Sequence, residues 1–186
     1  MKREGNTKER ILLESMKLFS VYGYEAVSIR TIAEAVGVGN SALYKHYKSK
    51  REILDAIVSV ARTAPSSRNS KSTEFMIVDD RDTIVAMSQM RDSGSAFMKD
   101  AAAVIVILGD QSKTDLWVDN CAISATFTQL AVTAMDLGSC WVHINGRPRL
   151  KAEPDGATAE DYIRELLGIK DGLRAYCAIA IGYPLV

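Results

Sequence analysis

Asn40, Ser41, Ala42, Tyr44, Lys45 and His46 crowd into one short stretch, with Lys50 just beyond it. Amide, hydroxyl, ammonium and imidazole groups at that density suit hydrogen bonding to base edges and charge pairing with phosphates. Ser28 and Arg30 stand upstream, at the start of a segment whose free backbone N–H groups also favour phosphate. Elsewhere no side-chain nucleophile or acid–base pair stands out, so no catalytic residue is assigned. Cys121, Cys140 and Cys177 sit in apolar stretches without metal-ligand spacing, and His46 and His143 are the only histidines. A metal site is not expected.

The elements that must position these groups are legible from periodicity. Ile11, Leu12, Ser15, Leu18 and Phe19 recur at helical spacing after a Thr7 cap and stop at Gly23. Ser28 caps a second helix with Ile29, Ile32, Ala33 and Val36 inward, and Gly37-Val38-Gly39 turns the chain. A third helix, Ala42 to Tyr47, is anchored by Leu43 and Tyr47; Ser49 caps a fourth, Lys50 to about Arg62. The third is short enough to enter a major groove, with Asn40, Ser41, Ala42 and Lys45 outward and Tyr44, His46 and Lys50 reaching flanking phosphates. His46 reads equally as a solvated helix-end histidine.

Beyond Arg62 the period changes. Phe75–Val78, Val104–Leu108, Cys140–Ile144 and Tyr176–Ile181 are short, apolar and rich in branched residues, which predicts strands, the first two followed by turns at Asp79-Asp80 and Gly109-Asp110. Asp115 to Leu137 reads as a long buried helix, and Thr158 to Leu167 as an amphipathic one with a Thr158/Asp161 capping box. The fold class expected is α+β: an all-helical headpiece, then a sheet with flanking helices.

Charge divides along the same line. Up to Arg62 there are eleven basic and seven acidic residues; beyond it there are twelve and sixteen, although the whole chain is formally neutral. A basic head on an acidic body suits a polyanion-binding head. The longest apolar runs are strand-length, which predicts no membrane span, and the odd cysteine count with no secretory signal points to a reducing cytoplasm.

The run Ala35-Val-Gly-Val-Gly-Asn-Ser-Ala-Leu-Tyr-Lys-His-Tyr-Lys-Ser-Lys-Arg-Glu-Ile-Leu54 resembles the DNA-binding headpiece of TetR-family repressors. The resemblance implies Ser41, Ala42 and Lys45 near base edges and Ser28, Tyr44, His46 and Lys50 on phosphates of double-stranded DNA.

The body resembles a different family. Ala64-Pro-Ser-Ser-Arg-Asn69, Ala102–Asp110, Trp117-Val-Asp119, Asp136-Leu-Gly-Ser-Cys-Trp-Val142 and Glu165–Ile169 leading to Ala180–Pro184 are similar, in order, to the nitroreductases, FMN-dependent and NAD(P)H-using oxidoreductases. The resemblance implies an obligate dimer. It places Pro65, Ser66, Ser67, Arg68, Asn69, Ser139, Cys140, Trp141 and Val142 beside the flavin, often across the dimer interface. Read from composition alone, Cys140 and Trp141 are core filling and Pro65–Asn69 is a polar loop capping a helix end.

Three departures weaken the expected grip on FMN. The head stands where the family carries an Arg-Arg-Ser-x-Arg phosphate segment, Lys71-Ser-Thr73 replaces a Gln-Pro-Trp-like run, and the sequence ends at Val186. Arg62, Arg68, Arg147 and Arg149 are the cations that could substitute. The expected division is 1–60 and 61–186, with the fourth head helix serving both parts. The expected function is a transcription regulator with a dimerising, flavin- or redox-sensing body. The alternative is an FMN-dependent oxidoreductase that takes NAD(P)H and a small aromatic acceptor.

Overall fold

Val104–Leu108, a branched apolar run with no polar break, lies in the middle of the fold because it is buried on both faces. The computed structural model describes residues 7–23, 27, 29–37, 50–133 and 138–182. Strand β2 (Ala103–Asp110) pairs antiparallel with β1 (Thr73–Val78) on one side and β4 (Leu173–Gly182) on the other. Strand β3 (Gly138–His143) pairs antiparallel with β4, giving the order β1-β2-β4-β3.

Alternation along β2 sorts the core into two layers. Ala103, Ile105 and Ile107 face helices α1 (Thr7–Tyr22), α2 (Ile29–Val36), α3 (Lys50–Ala61) and α5 (Trp117–Thr133), through Phe19, Ile32, Leu54, Ile57, Cys121 and Ala125. Val104, Val106 and Leu108 face α4 (Arg81–Met87), a short 3-10 helix at Ala96–Asp100 and α6 (Ala159–Leu167), through Ile84, Met87, Met98 and Ile163. The described head helices share one apolar cluster with the sheet. Ile11, Met16 and Phe19 belong to the same core as Ile105, Cys177 and Ile179.

The α+β class and the four strands follow the sequence pattern, and the capping box is present. Thr158 Oγ1 accepts the Asp161 N–H at 3.0 Å, Asp161 Oδ2 accepts the Thr158 N–H at 3.2 Å, and Gly168 ends α6 at φ 60°. The long helix is described from Trp117 to Thr133, with 134–137 outside the described residues. Helix α4 has no counterpart in the sequence reading. Asp79-Asp80 was read only as a turn, yet Asp80 Oδ2 accepts the Thr83 N–H at 2.8 Å and starts a helix.

One irregularity bears on the site. Register shifts between Ile107↔Cys177 and Leu108↔Ala175, leaving Tyr176 as the extra residue of a bulge on β4. Tyr176 and Cys177 therefore both join the α1/α3/α5 layer.

Candidate functional site

Between α3 and β1 the chain makes a tight polar loop held open in an uncommon conformation. Ser67–Asn69 form a single 3-10 turn, and Arg68, Asn69 and Lys71 have φ of 50°, 55° and 49°. Left-handed backbone at non-glycine residues persists only where the surroundings fix it. Here Asn120, buried on α5, does the fixing. Its Oδ1 accepts the Ser67 N–H at 2.7 Å, and its Nδ2 donates to Ser70 Oγ at 3.1 Å and Ser72 Oγ at 2.8 Å. Ser66 Oγ accepts the Lys71 N–H at 3.0 Å, and the Asp110 N–H donates to Ser72 O at 2.8 Å. Pro65, Arg68 and Asn69 are left exposed, with Ser66 and Ser67 half-buried.

The other predicted group lies on β3, a sheet edge. Cys140 is exposed and so is not core filling, Ser139 and Trp141 are half-buried, and Val142 points into the second core layer. Val142 can thus offer a ligand only its backbone. Bulged Tyr176 meets Trp117, Trp141 and His143 edge-on at centroid distances of 6.5, 5.7 and 5.3 Å. The Trp141 indole N–H donates to His143 Nδ1 at 3.4 Å, which fixes that nitrogen as the acceptor. Strands β1 and β3 are three strand spacings apart, about 14 Å at ~4.8 Å each. The loop before β1 and the β3 residues are therefore not neighbours within one chain.

Burial sets the ionisation of the inner groups. It pushes the Cys121 thiol up to about 12, against a weaker opposing hydrogen bond from Thr73, and raises Cys177 as well. Both are inert thiols at neutral pH. Burial, then the charges of Arg147 and Arg91, lowers His143 and keeps it neutral. Among the described residues no group of His, Cys, Asp or Glu could hold a metal, and no helix is long and apolar enough to cross a membrane.

A cleft of about 370 Å³ opens beside the loop, lined by Arg62, Ser66, Lys71, Thr73, Glu74, Phe75, Lys113 and Ser124 and by Ala61 and Ala64 at the end of α3. Sequence reasoning missed Lys71, Lys113 and Asn120. A lone asparagine in an otherwise apolar helix was the available signal for the last. Of the four cations proposed as substitutes, only Arg62 lines this cleft: Arg68 is exposed on the loop, Arg147 lines a separate groove with Arg91, and Arg149 stacks over Tyr162 at 4.2 Å in the other layer. The candidate DNA contacts Ser28, Asn40, Ser41, Ala42, Tyr44, Lys45 and His46 lie outside the described residues. Arg30 and Lys50 are placed only as positions on α2 and α3.

An antiparallel sheet between two helical layers, with a polar loop pinned to the long helix, is a nitroreductase-like fold. Residues 85–183 match the model of the Nitroreductase family, and the chain belongs to that family. Residues 11–57 match the model of Bacterial regulatory proteins, tetR family, so the same chain carries a tetR-type helix-turn-helix domain. An FMN-dependent nitroreductase from Clostridium difficile R20291 is 36% identical, matching 73% of this chain and 76% of its own with a TM-score of 0.67. A protein of Archaeoglobus fulgidus whose name refers to NADH dehydrogenase and NAD(P)H nitroreductase is 29% identical over 147 residues, 76% of this chain and 78% of that protein. Tetracycline repressor protein class C of Escherichia coli is 36% identical over 56 residues, 30% of this chain and 26% of the repressor.

Proposed function

We propose that this chain is a cytoplasmic, homodimeric DNA-binding transcription regulator whose nitroreductase-type body senses a flavin or its redox state. The observation that carries this reading is the course of α3. It begins directly after the helix-turn-helix segment, buries Leu54, Ile57 and Val58 in the core shared with the sheet, and ends at Ala61 in the wall of the cleft. A ligand in the cleft would bear on the helix that carries the reading head, so occupancy and head geometry are coupled through one element. The division near residue 60 is one of function, since the head packs into the body's core.

A second copy supplies what helix-turn-helix binding needs, two heads on two half-sites. Ile123 and Leu130 stand seven residues apart on an exposed face of α5, with exposed Leu116 just before its first residue and exposed Val60 on the adjoining α3. A helix apolar on its outer face as well as its inner one is covered in the working assembly. Ser41, Ala42 and Lys45 would read bases with Asn40 on the same outward face, and Ser28, Arg30, Tyr44, His46 and Lys50 would hold the backbone. Selection of duplexes from a random pool followed by gel-shift titration tests this. The expected result is a two-fold symmetric site, affinity falling steeply with salt, and loss of binding in Lys45→Ala. Binding with no sequence preference would sink the reading.

The second reading, an FMN-dependent oxidoreductase using NAD(P)H and a nitroaromatic or quinone, is favoured by the pinned loop. Its donor set fits a flavin nucleotide: hydroxyls and cations around the cleft, and at β3 an outer strand edge with no strand partner among the described residues. Residues 65–69 of one protomer and 139–142 of the other would hold FMN, which when bound supplies the redox chemistry. The chain's own part is to fix the ring and exclude water. Purified protein with no visible flavin absorbance after incubation with FMN would remove this reading and the flavin-sensing part of the first, leaving only a DNA-binding regulator.

A further inference from the structure

Two cations in the cleft, Arg62 and Lys71, make no ion pair among the described residues, while Lys113 pairs with Asp110 at 3.4 Å and Glu74 is the one carboxylate in the lining. We propose that Arg62 and Lys71, with Lys113 in the same lining, form an anion subsite for the phosphate monoester of a flavin nucleotide. It replaces the arginine segment whose place the head has taken. The proposal rests on the reading of this cleft as a flavin pocket.

The Arg62 guanidinium is held by its side chain and Lys71 by its backbone. The Arg62 guanidinium lies over the Phe75 ring, 5.5 Å from its centroid, and Phe75 packs on the core. Stacking limits its motion and leaves its N–H edges available to oxygen acceptors. Lys71 sits at φ 49° in the loop that Asn120 clamps, with its N–H fixed on Ser66 Oγ. Ser66, Thr73 and Ser124 bring hydroxyls to the same cleft. Cations on a pinned frame with hydroxyl donors around them match a phosphate dianion, which has several acceptor oxygens and needs charge as well as hydrogen bonds. Arg62 also follows the last residue of α3, so phosphate capture here acts on the helix that reaches the head.

Fluorescence titration of FMN against riboflavin, which lacks the phosphate, tests the assignment on the full-length protein. The parent should prefer FMN by about tenfold or more at low salt, as one or two charge-assisted contacts would give. In Arg62→Gln/Lys71→Gln the preference should vanish with riboflavin affinity and the thermal midpoint unchanged, and Arg62→Lys/Lys71→Arg should restore part of it. Inorganic phosphate should weaken FMN binding and leave riboflavin untouched. Equal binding of the two flavins by the parent, or an FMN preference that survives the double Gln variant, overturns the subsite while the flavin reading stands. Binding of neither flavin overturns both.

Discussion

The Asn120 side chain and the Ser67 backbone, 53 residues apart in sequence, meet at 2.7 Å with the amide oxygen accepting the Ser67 N–H. That contact and the two bonds from Asn120 Nδ2 to Ser70 and Ser72 tie the polar loop to α5. The conformation of residues 67–71 is therefore set by a residue on another element, and the positive φ values at Arg68, Asn69 and Lys71 depend on it.

Asn120→Ala removes three hydrogen bonds and strands buried partners, so a loss of about 2–4 kcal/mol is expected at about 1 kcal/mol per bond plus the unpaired groups. Urea unfolding followed by far-UV circular dichroism measures it. Without the clamp the loop relaxes from its left-handed residues, and amide exchange at Ser67 and Lys71 should speed up more than exchange in β2. Unchanged exchange at both would show that the loop holds itself.

Gly109→Ala should also destabilise, by a different route. A Cβ at Gly109 would lie 2.3 Å from Trp117 Cε3 and 2.9 Å from Cys121 Sγ. Cys121 is fully buried, so the indole has to swing away and give up its edge contact with Tyr176. Overpacking of this kind costs about 1–3 kcal/mol. Thermal unfolding reads the loss, and a changed Trp emission spectrum reads the displacement. An alanine variant with the parent's midpoint and spectrum would contradict the close approach.

Sequence pattern found what repeats and missed what occurs once. Strand β2 was legible because a strand buried on both faces needs five branched residues in a row, and nothing else in the chain looks like Val104–Leu108. The capping box was legible because Thr158 and Asp161 must be three apart to satisfy each other. The bulge was not, since one extra residue in β4 leaves no trace in composition, and Tyr176 alternates normally with its neighbours until its partner strand is known. Asp80 was read as a turn because a cap and a turn use the same carboxylate chemistry. Pro65–Asn69 and Ser139–Val142 entered only through family resemblance. Composition alone put Cys140 in the core, whereas it stands exposed on the sheet edge. Asn120 and Lys71 were invisible because their role exists only once α5 and the loop are side by side.

His143 gives the fold a pH dependence whose sign is fixed by its surroundings. Burial first, then Arg147 and Arg91, lowers its folded value below the ordinary 6.5. As pH falls through 6.5 the unfolded chain binds the proton before the folded one, so stability is complete above that value and erodes below it until the folded value is reached. Protonation also ends the acceptor role of Nδ1 toward the Trp141 indole. His143→Gln, which cannot titrate, should flatten the fall in thermal midpoint on the acid side of 6.5. A variant whose midpoint falls as steeply as the parent's would assign the dependence to other groups.

The outer face of α5 decides whether two heads can work together. Leu130 is 59% exposed and Ile123 38%, one heptad (about two helical turns) apart on a helix whose inner side already carries Cys121, Ala125 and Val132 in the core. Two like-charged glutamates placed there face their own copies across a two-fold axis, because a residue near such an axis meets its symmetry mate. Ile123→Glu/Leu130→Glu should therefore be monomeric by light scattering with an unchanged far-UV spectrum, since neither side chain lies in the described core. If the regulator reading holds, that monomer binds a full two-site operator no more tightly than a half-site, and the gel-shift isotherm loses its second head. A variant that stays dimeric would move the interface to another face, and a monomer that still binds the full operator at parental affinity would remove the need for paired heads.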